Sequence, residues 1–267
     1  MLAGGAAAVF ALLAYVYVTL PDVRALRTTN PASTAWMELR AREAEAAGRP
    51  VRRIQRWVPY GRISHNLKRA VIVAEDSAFW EHEGVDIEQI RESMAINLEK
   101  GQAARGASTI TQQLAKNLYL SPSRNPIRKL RELIIARRLE TELSKARIFE
   151  IYLNVIEWGD GIWGAEAAAR RYFGVPAAAL TAPQAALLAG AIINPRLYSP
   201  ARPQARLLRR QRIIMRRMGA IEPPAAVPVS TPVPSPPSDT PTDALPAVPP
   251  GEAIPCPVPP CTETPRR

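Results

Sequence analysis

Apolar and polar positions divide the chain into three stretches. From Leu2 to Leu20 no residue is charged, and most are Ala, Leu, Val, Phe or Tyr, a length that just spans a bilayer as a helix. From Ser64 almost to Met218 apolar residues recur at spacings of three and four, the signature of helices with one buried face. Ser64 is placed to cap a helix carrying Leu67, Ala70, Val71 and Ala74. Further helices are predicted over 87–100, 111–120, 127–143, 146–155, 165–172, 183–191 and 203–218, with Gly101, Gly106, Pro122, Pro126, Gly159, Gly161, Gly174, Pro176, Pro195 and Pro200 at the breaks. A short helix is predicted over 35–47, and Trp57 to Tyr60 reads as extended. No stretch alternates with period two, so the fold class expected is all-α. From Glu222 to Arg267 about a third of the residues are proline, a composition that builds no packed core. The expected organisation is an anchor at 1–20, a linker with a short helix at 21–49, a folded domain at 50–220 and a Pro-rich tail at 221–267.

Composition narrows the partners. The net charge is +11, and the tail carries a net −3, leaving +14 on the remainder. Such a surface favours nucleic acid, anionic lipid or a phosphorylated substrate. The two cysteines, Cys256 and Cys261, both lie in the tail, so no disulfide staples a core. With only His65 and His82 there is no His-Cys cluster to hold zinc. The apolar N-terminal stretch reads as an uncleaved anchor rather than a signal peptide, since no Ala-x-Ala site follows Leu20. Arg24 and Arg27 follow it and no basic residue precedes it. Taken literally, the positive-inside rule would put the domain in the cytoplasm.

Four segments carry candidate chemistry. In Ala70 to Asp76 an apolar helix ends in two carboxylates, Glu75 and Asp76. Apolar surroundings and a helix C-terminus both raise a carboxylate pKa, which suits a general base; alone, the pair reads more simply as a solvated helix end. Phe79 and His82 follow, and His82 alone reads as a packing or hydrogen-bonding histidine. Between Gly106 and Asn117, Thr109 and Gln112 fit a capping box. The helix start, with Ser108, Thr109, Gln113 and then Lys116, offers donors to an anion, or is an ordinary cap with a surface lysine. Arg124, Arg128, Lys129 and Glu132 form a third group, with Glu132 one turn after Arg128. They are a surface ion pair, or a carboxylate set among cations beside a pyrophosphate, whose oxygens suit arginine forks. In the fourth, 145–154, Ile148, Ile151 and Tyr152, with Val155 just beyond, make an apolar face that reads as core.

Together these segments resemble the peptidoglycan glycosyltransferases, a family also found as the N-terminal half of bifunctional penicillin-binding proteins. The family pattern Glu-Asp-x-x-Phe-x-x-His-x-Gly-x-Asp is met by Glu75, Asp76, Phe79, His82, Gly84 and Asp86. Gly106 to Asn117 meets Gly-x-Ser-Thr-x-Thr-Gln-Gln-Leu-x-Lys-Asn at every fixed position. Arg128, Lys129 and Glu132 meet Arg-Lys-x-x-Glu, and Lys145, Ile148, Tyr152, Leu153 and Asn154 meet Lys-x-x-Ile-x-x-x-Tyr-Leu-Asn. The likeness runs from about residue 50 to 218; Val175 departs from a lysine common in the family.

The resemblance implies a lysozyme-like α domain with a small membrane-associated helical lobe. It implies a transferase that polymerises lipid II into β-1,4 glycan strands with inversion, releasing undecaprenyl pyrophosphate. Glu75 is then the general base, and Glu132 supports the donor site by orienting cations or a metal. Lys116, Arg124, Arg128 and Lys129 face the pyrophosphate, Ser108, Thr109 and Gln113 line the cleft, and Asp76, Phe79 and His82 hold the base and its loop. A divalent cation, magnesium or manganese, would act near Glu132 as in some relatives, and no organic cofactor is expected. Expected partners are lipid II, the growing glycan chain, membrane lipid and other cell-wall synthesis and division proteins, and no nucleic acid. The domain is expected outside the cytoplasmic membrane on a single-pass anchor, against the charge rule. Some of Ile90, Met94, Ile96, Leu98, Leu118, Tyr119 and Leu120 are expected to dip into the bilayer.

With no Ser-x-x-Lys or Lys-Thr-Gly in the sequence, no transpeptidase is expected. Two other classes stay open. A lytic muramidase would share the fold and a catalytic Glu without needing the cation cluster. A non-catalytic wall-assembly scaffold would need neither Glu75 nor Glu132.

Overall fold

The computed structural model describes residues 10, 14–15, 18–99, 101, 108–122 and 125–219. In chain order the helices are α1 (Ala35–Ala46), α2 (His65–Glu75), α3 (Ile87–Glu99), α4 (Ile110–Tyr119), α5 (Pro126–Glu142), α6 (Lys145–Val155), α7 (Ala165–Phe173), α8 (Ala182–Ala191) and α9 (Ala205–Met218). Local chemistry sets most of their starts. Side-chain oxygens of Thr34, Ser64, Thr109, Asn125 and Ser144 accept hydrogen bonds from backbone N–H groups of the first turns of α1, α2, α4, α5 and α6. Pro126 adds a preset φ at the first position of α5. Gly174, at φ +70°, closes α7 in the left-handed conformation.

The core is built around α2 and α6. In α2, Leu67, Ala70, Val71 and Ile72 have no exposed surface, and the helix packs on α8 and α9. In α6, Ile148, Ile151, Tyr152 and Val155 are fully buried, as the apolar face predicts, but so are Phe149, Leu153 and Asn154. A helix buried all round is a central one. Around it stand α4 and α5, with α4 also touching α1.

The all-α expectation needs one correction. Three short strands, β1 (Ile54–Gln55), β2 (Glu157–Gly159) and β3 (Ile162–Trp163), form a small sheet in the order β1-β3-β2. β1 runs parallel to β3, pairing Ile54 with Ile162, and β2 runs antiparallel with an irregularity between Glu157 and Gly159. Strands of two or three residues are too short to show an alternation. Trp158 and Trp163 anchor the hairpin in the core. At Gly164 (φ +81°) a Cβ would lie 2.7 Å from the Asn154 carbonyl oxygen, so only glycine lets β3 turn into α7 here.

Residues 21–49, expected as a linker with a short helix, are packed. Val23, Leu26 and Met37 belong to the core, with Leu20 against it. Arginines tie this strap down. Arg131 donates to the Thr19 carbonyl (2.8 Å), Arg27 to that of Glu142 (2.8 Å), and Arg147 to Leu26 O (2.8 Å), Thr29 O (3.1 Å) and Asn30 Oδ1 (2.8 Å). Further on, Asn154 holds the extended segment before Tyr60: its Oδ1 accepts from Val58 N (2.8 Å) and its Nδ2 donates to Val58 O (2.9 Å).

Of the apolar stretch 2–20, most lies outside the described residues, as does the Pro-rich tail at 221–267. Among the described residues no helix is long and apolar enough to cross a membrane. On α3 the apolar Ile87, Met94 and Leu98 stand exposed, at 53%, 67% and 86%. Leu118 and Leu120, also considered for bilayer contact, are instead buried in the core, because α4 turns that face inward.

Candidate active site

Glu75 ends α2 with its side chain only 12% exposed. Its Oε2 accepts from Gln113 Nε2 (3.0 Å), and its Oε1 faces Arg210 Nη2 (3.2 Å). This is not a solvated helix-end pair. Burial pushes the Glu75 carboxyl above the usual range, against the pull of Gln113 and Arg210. Gln113 is itself oriented: the Tyr152 hydroxyl donates to its Oε1 (2.9 Å), turning the amide N–H toward Glu75. Phenol, amide and carboxylate form one line from α6 through α4 to α2.

Asp76 faces the other way. It has almost no exposed surface and accepts from Ile110 N at the start of α4 (2.9 Å) and from His82 Nε2 (3.0 Å). A helix N-terminus favours a carboxylate there. His82 Nδ1 accepts from Gly84 N (3.1 Å), so Nε2 carries the proton that goes to Asp76. Thr109 is buried and fully used: its hydroxyl accepts from Gln112 N and donates to the Gly84 carbonyl (2.7 Å). It therefore pins the loop to α4 rather than lining a cleft. The expected capping box is half made, since Gln112 Oε1 instead accepts from Lys129 Nζ (3.1 Å). With Asp76 and Thr109 holding its first N–H groups, the start of α4 is already occupied by a protein anion. Phe79, fully buried, packs on Trp80 and Phe149 with Lys145 Nζ 4.5 Å from its ring centre. Asp76, Phe79 and His82 thus hold the loop that leads away from Glu75.

Glu132 gathers the cations. It is 3% exposed on α5, with Arg128 Nη1 at 2.7 Å from Oε2 and Lys129 Nζ against Oε1. Lys129 also reaches Ser108 Oγ (3.5 Å), and Ser108 is exposed beside it. Lys116 on α4 feels the charges of Glu132, Arg128, Lys129 and Glu75. Burial lowers the pKa of its ammonium. Among the described residues no group accepts a hydrogen bond from it; it rests 5.4 Å from the ring centre of Trp36. Arg124, expected in this group, lies outside the described residues. The structure therefore brings Glu75, Gln113, Lys116, Lys129, Arg128, Glu132 and Ser108 to one region, and sets Asp76, His82, Phe79 and Thr109 behind it.

The donors do not fit a resident divalent ion near Glu132. Both oxygens of that carboxylate are engaged by cations, and Lys116 adds further positive charge. Asp76, His82 and Asp86 do come within ligand distance of one another. Each of the three already accepts a backbone hydrogen bond, from Ile110 N, Gly84 N and Gln89 N respectively. No step below is routed through a metal.

Two residues were missed in the sequence. Arg210 sits in a run of six arginines on α9, and nothing local distinguishes the one that turns inward to Glu75. Tyr152 reads as core, which it is, but its hydroxyl also orients Gln113.

A family model described as transglycosylase matches residues 43–219. A biosynthetic peptidoglycan transglycosylase of Laribacter hongkongensis is 50% identical over 222 residues, covering 82% of this chain and 97% of that protein. One of the same name from a Janthinobacterium species is 52% identical over 191 residues (72% and 83%). Another from Chromobacterium violaceum is 47% identical over 219 residues (82% and 96%).

Proposed function

This chain belongs to the transglycosylase family and is a peptidoglycan glycosyltransferase, and from that premise we propose how its site performs the transfer. The substrates are lipid II and the growing glycan chain. Glu75 accepts the proton of the acceptor's GlcNAc 4-hydroxyl as that oxygen attacks the anomeric carbon of the donor MurNAc. The new bond is β-1,4; the bond from that carbon to the pyrophosphate oxygen breaks, and undecaprenyl pyrophosphate leaves with the electron pair. The outcome is inversion by direct displacement.

The observation that carries this reading is the buried carboxylate Glu75 facing a separate cation group on α4 and α5. A carboxylate raised by burial is a stronger base nearer neutrality. Arg210 and Gln113 favour its ionised form against that burial. Lys116, Arg128 and Lys129 meet the charge that develops on the leaving pyrophosphate, with Arg124 expected beside them. Glu132 works by aiming Arg128 and Lys129. A muramidase needs no such cation cluster, and a scaffold needs no buried base.

The chain acts at the cell envelope. We place it on the outer side of the cytoplasmic membrane, held by residues 2–20, with Ile87, Met94 and Leu98 of α3 turned toward the lipid that carries the substrate. Cell-wall synthesis and division proteins are its expected neighbours.

The test is polymerisation of lipid II by the purified chain in detergent beside Glu75→Gln. Glycan polymer from the wild type and none from the variant is expected. Polymer surviving in Glu75→Gln would remove Glu75 as the base. No polymer from folded wild-type protein that binds lipid II would overturn the catalytic reading.

A further inference from the structure

Trp36 lies ahead of residues 43–219, the span that the family model matches, on the first turn of α1. Its ring has two cations beside it: Arg40 Cζ at 5.1 Å from the ring centre and Lys116 Nζ at 5.4 Å. The two differ in what else they touch. Arg40 is bound by the carboxylates of Glu43 (2.8 Å) and Glu157 (3.0 Å), so its charge is already matched within the protein. Lys116 has no such partner among the described residues, and its contact is the indole face. An aromatic face attracts an ammonium through the ring quadrupole without occupying its N–H donors in the way a carboxylate would. A lysine held so stays fixed in place while its donors remain available to an anion.

Trp36 is itself firmly set. Thr34, buried, caps α1 by accepting from Met37 N (3.1 Å), and Met37 is buried in the core one residue further on. The preceding strap is fastened to α6 by three hydrogen bonds from Arg147.

We propose that Trp36 is a positioning residue for Lys116, so that the strap ahead of the catalytic domain forms part of the pyrophosphate site. This rests on the reading of Lys116 as a pyrophosphate ligand. A lone packing role for Trp36 would affect stability and leave the affinity for a pyrophosphate independent of Lys116. A positioning role makes the two residues act as one.

The experiment uses the full chain in detergent, with farnesyl pyrophosphate as the competing probe in the lipid II assay. Its inhibition constant is read for wild type, Trp36→Leu, Lys116→Met and the double variant by displacement of bound lipid II, which needs no turnover, and KM and kcat for lipid II are measured for wild type and Trp36→Leu. Trp36→Leu is expected to weaken inhibition by roughly two- to thirtyfold, the span of a cation–π contact, and to raise KM more than it lowers kcat. The double variant should be no weaker than Lys116→Met alone. Losses that multiply in the double variant would overturn the proposal, as would an unchanged constant in Trp36→Leu. If Lys116→Met itself leaves inhibition intact, the pyrophosphate reading of Lys116 fails first. Where Trp36→Leu does not fold, the cycle is run with Trp36→Phe, whose smaller weakening must vanish in the Lys116→Met background.

Discussion

At the scale of single residues, the site turns on what surrounds one carboxylate. Burial raises the pKa of Glu75, while Arg210 and the oriented amide of Gln113 lower it. A base works only when ionised, so the rate falls on the acid side as pH drops through its pKa. Removing a group that favours the ionised form raises that pKa and moves the acid limb to higher pH. Arg210→Gln is expected to do this, measured as the pH profile of kcat/KM. Tyr152→Phe should shift it in the same direction by less: the ring still fills the core, but Gln113 loses the bond that holds its amide toward Glu75. A profile unmoved in Tyr152→Phe would reduce Tyr152 to packing. Both ring nitrogens of His82 are committed, to Gly84 and Asp76, so its place is in holding the loop.

At the scale of elements, polar side chains in buried positions decide which segments stay together. Asn154 stands on the buried helix α6 and takes the place of a strand partner for Val58, using both its carbonyl and its amide. Asn154→Ala strands the Val58 N–H and C=O in the interior and is expected to cost about 3 kcal/mol, an unmet buried pair at about 1–3 kcal/mol each. A fall in Tm by thermal unfolding checks this; no fall would mean water replaces the side chain. The helices were legible because their signals are local. Ser64 and Thr109 each announce a start within three residues. The sheet was not, since β1 meets β3 across about a hundred residues and neither is long enough to alternate. The motif segments pointed to Glu75 and Gln113 on one side and to Glu132 with Arg128 and Lys129 on the other, and these pairs are in contact. They did not tell that Thr109 faces inward, or that an arginine from α9 completes the base, because those depend on how helices far apart in sequence pack.

At the scale of the molecule, the folded part begins earlier than the composition suggests. Val23, Leu26 and Met37 sit in the same core as α2 and α6. Full burial of each such side chain is worth about 1.5–3 kcal/mol, an upper bound because the unfolded chain is already partly compact. A chain that starts at Arg49 should therefore melt well below one that starts at Leu20, and should also bind lipid II more weakly for want of Trp36. Equal melting temperatures for the two would mean that the strap adds nothing to the core.

The same strap has a mechanical meaning. Thr19 is bonded to Arg131 and Leu20 already rests on the core. If residues 2–20 span the bilayer, no slack chain separates membrane from enzyme. A flexible leash of ten residues would let a domain wander over about 15–20 Å. On that anchor the catalytic cleft would ride at one height and one tilt, and finding each new lipid-borne sugar would become a search in two dimensions rather than three.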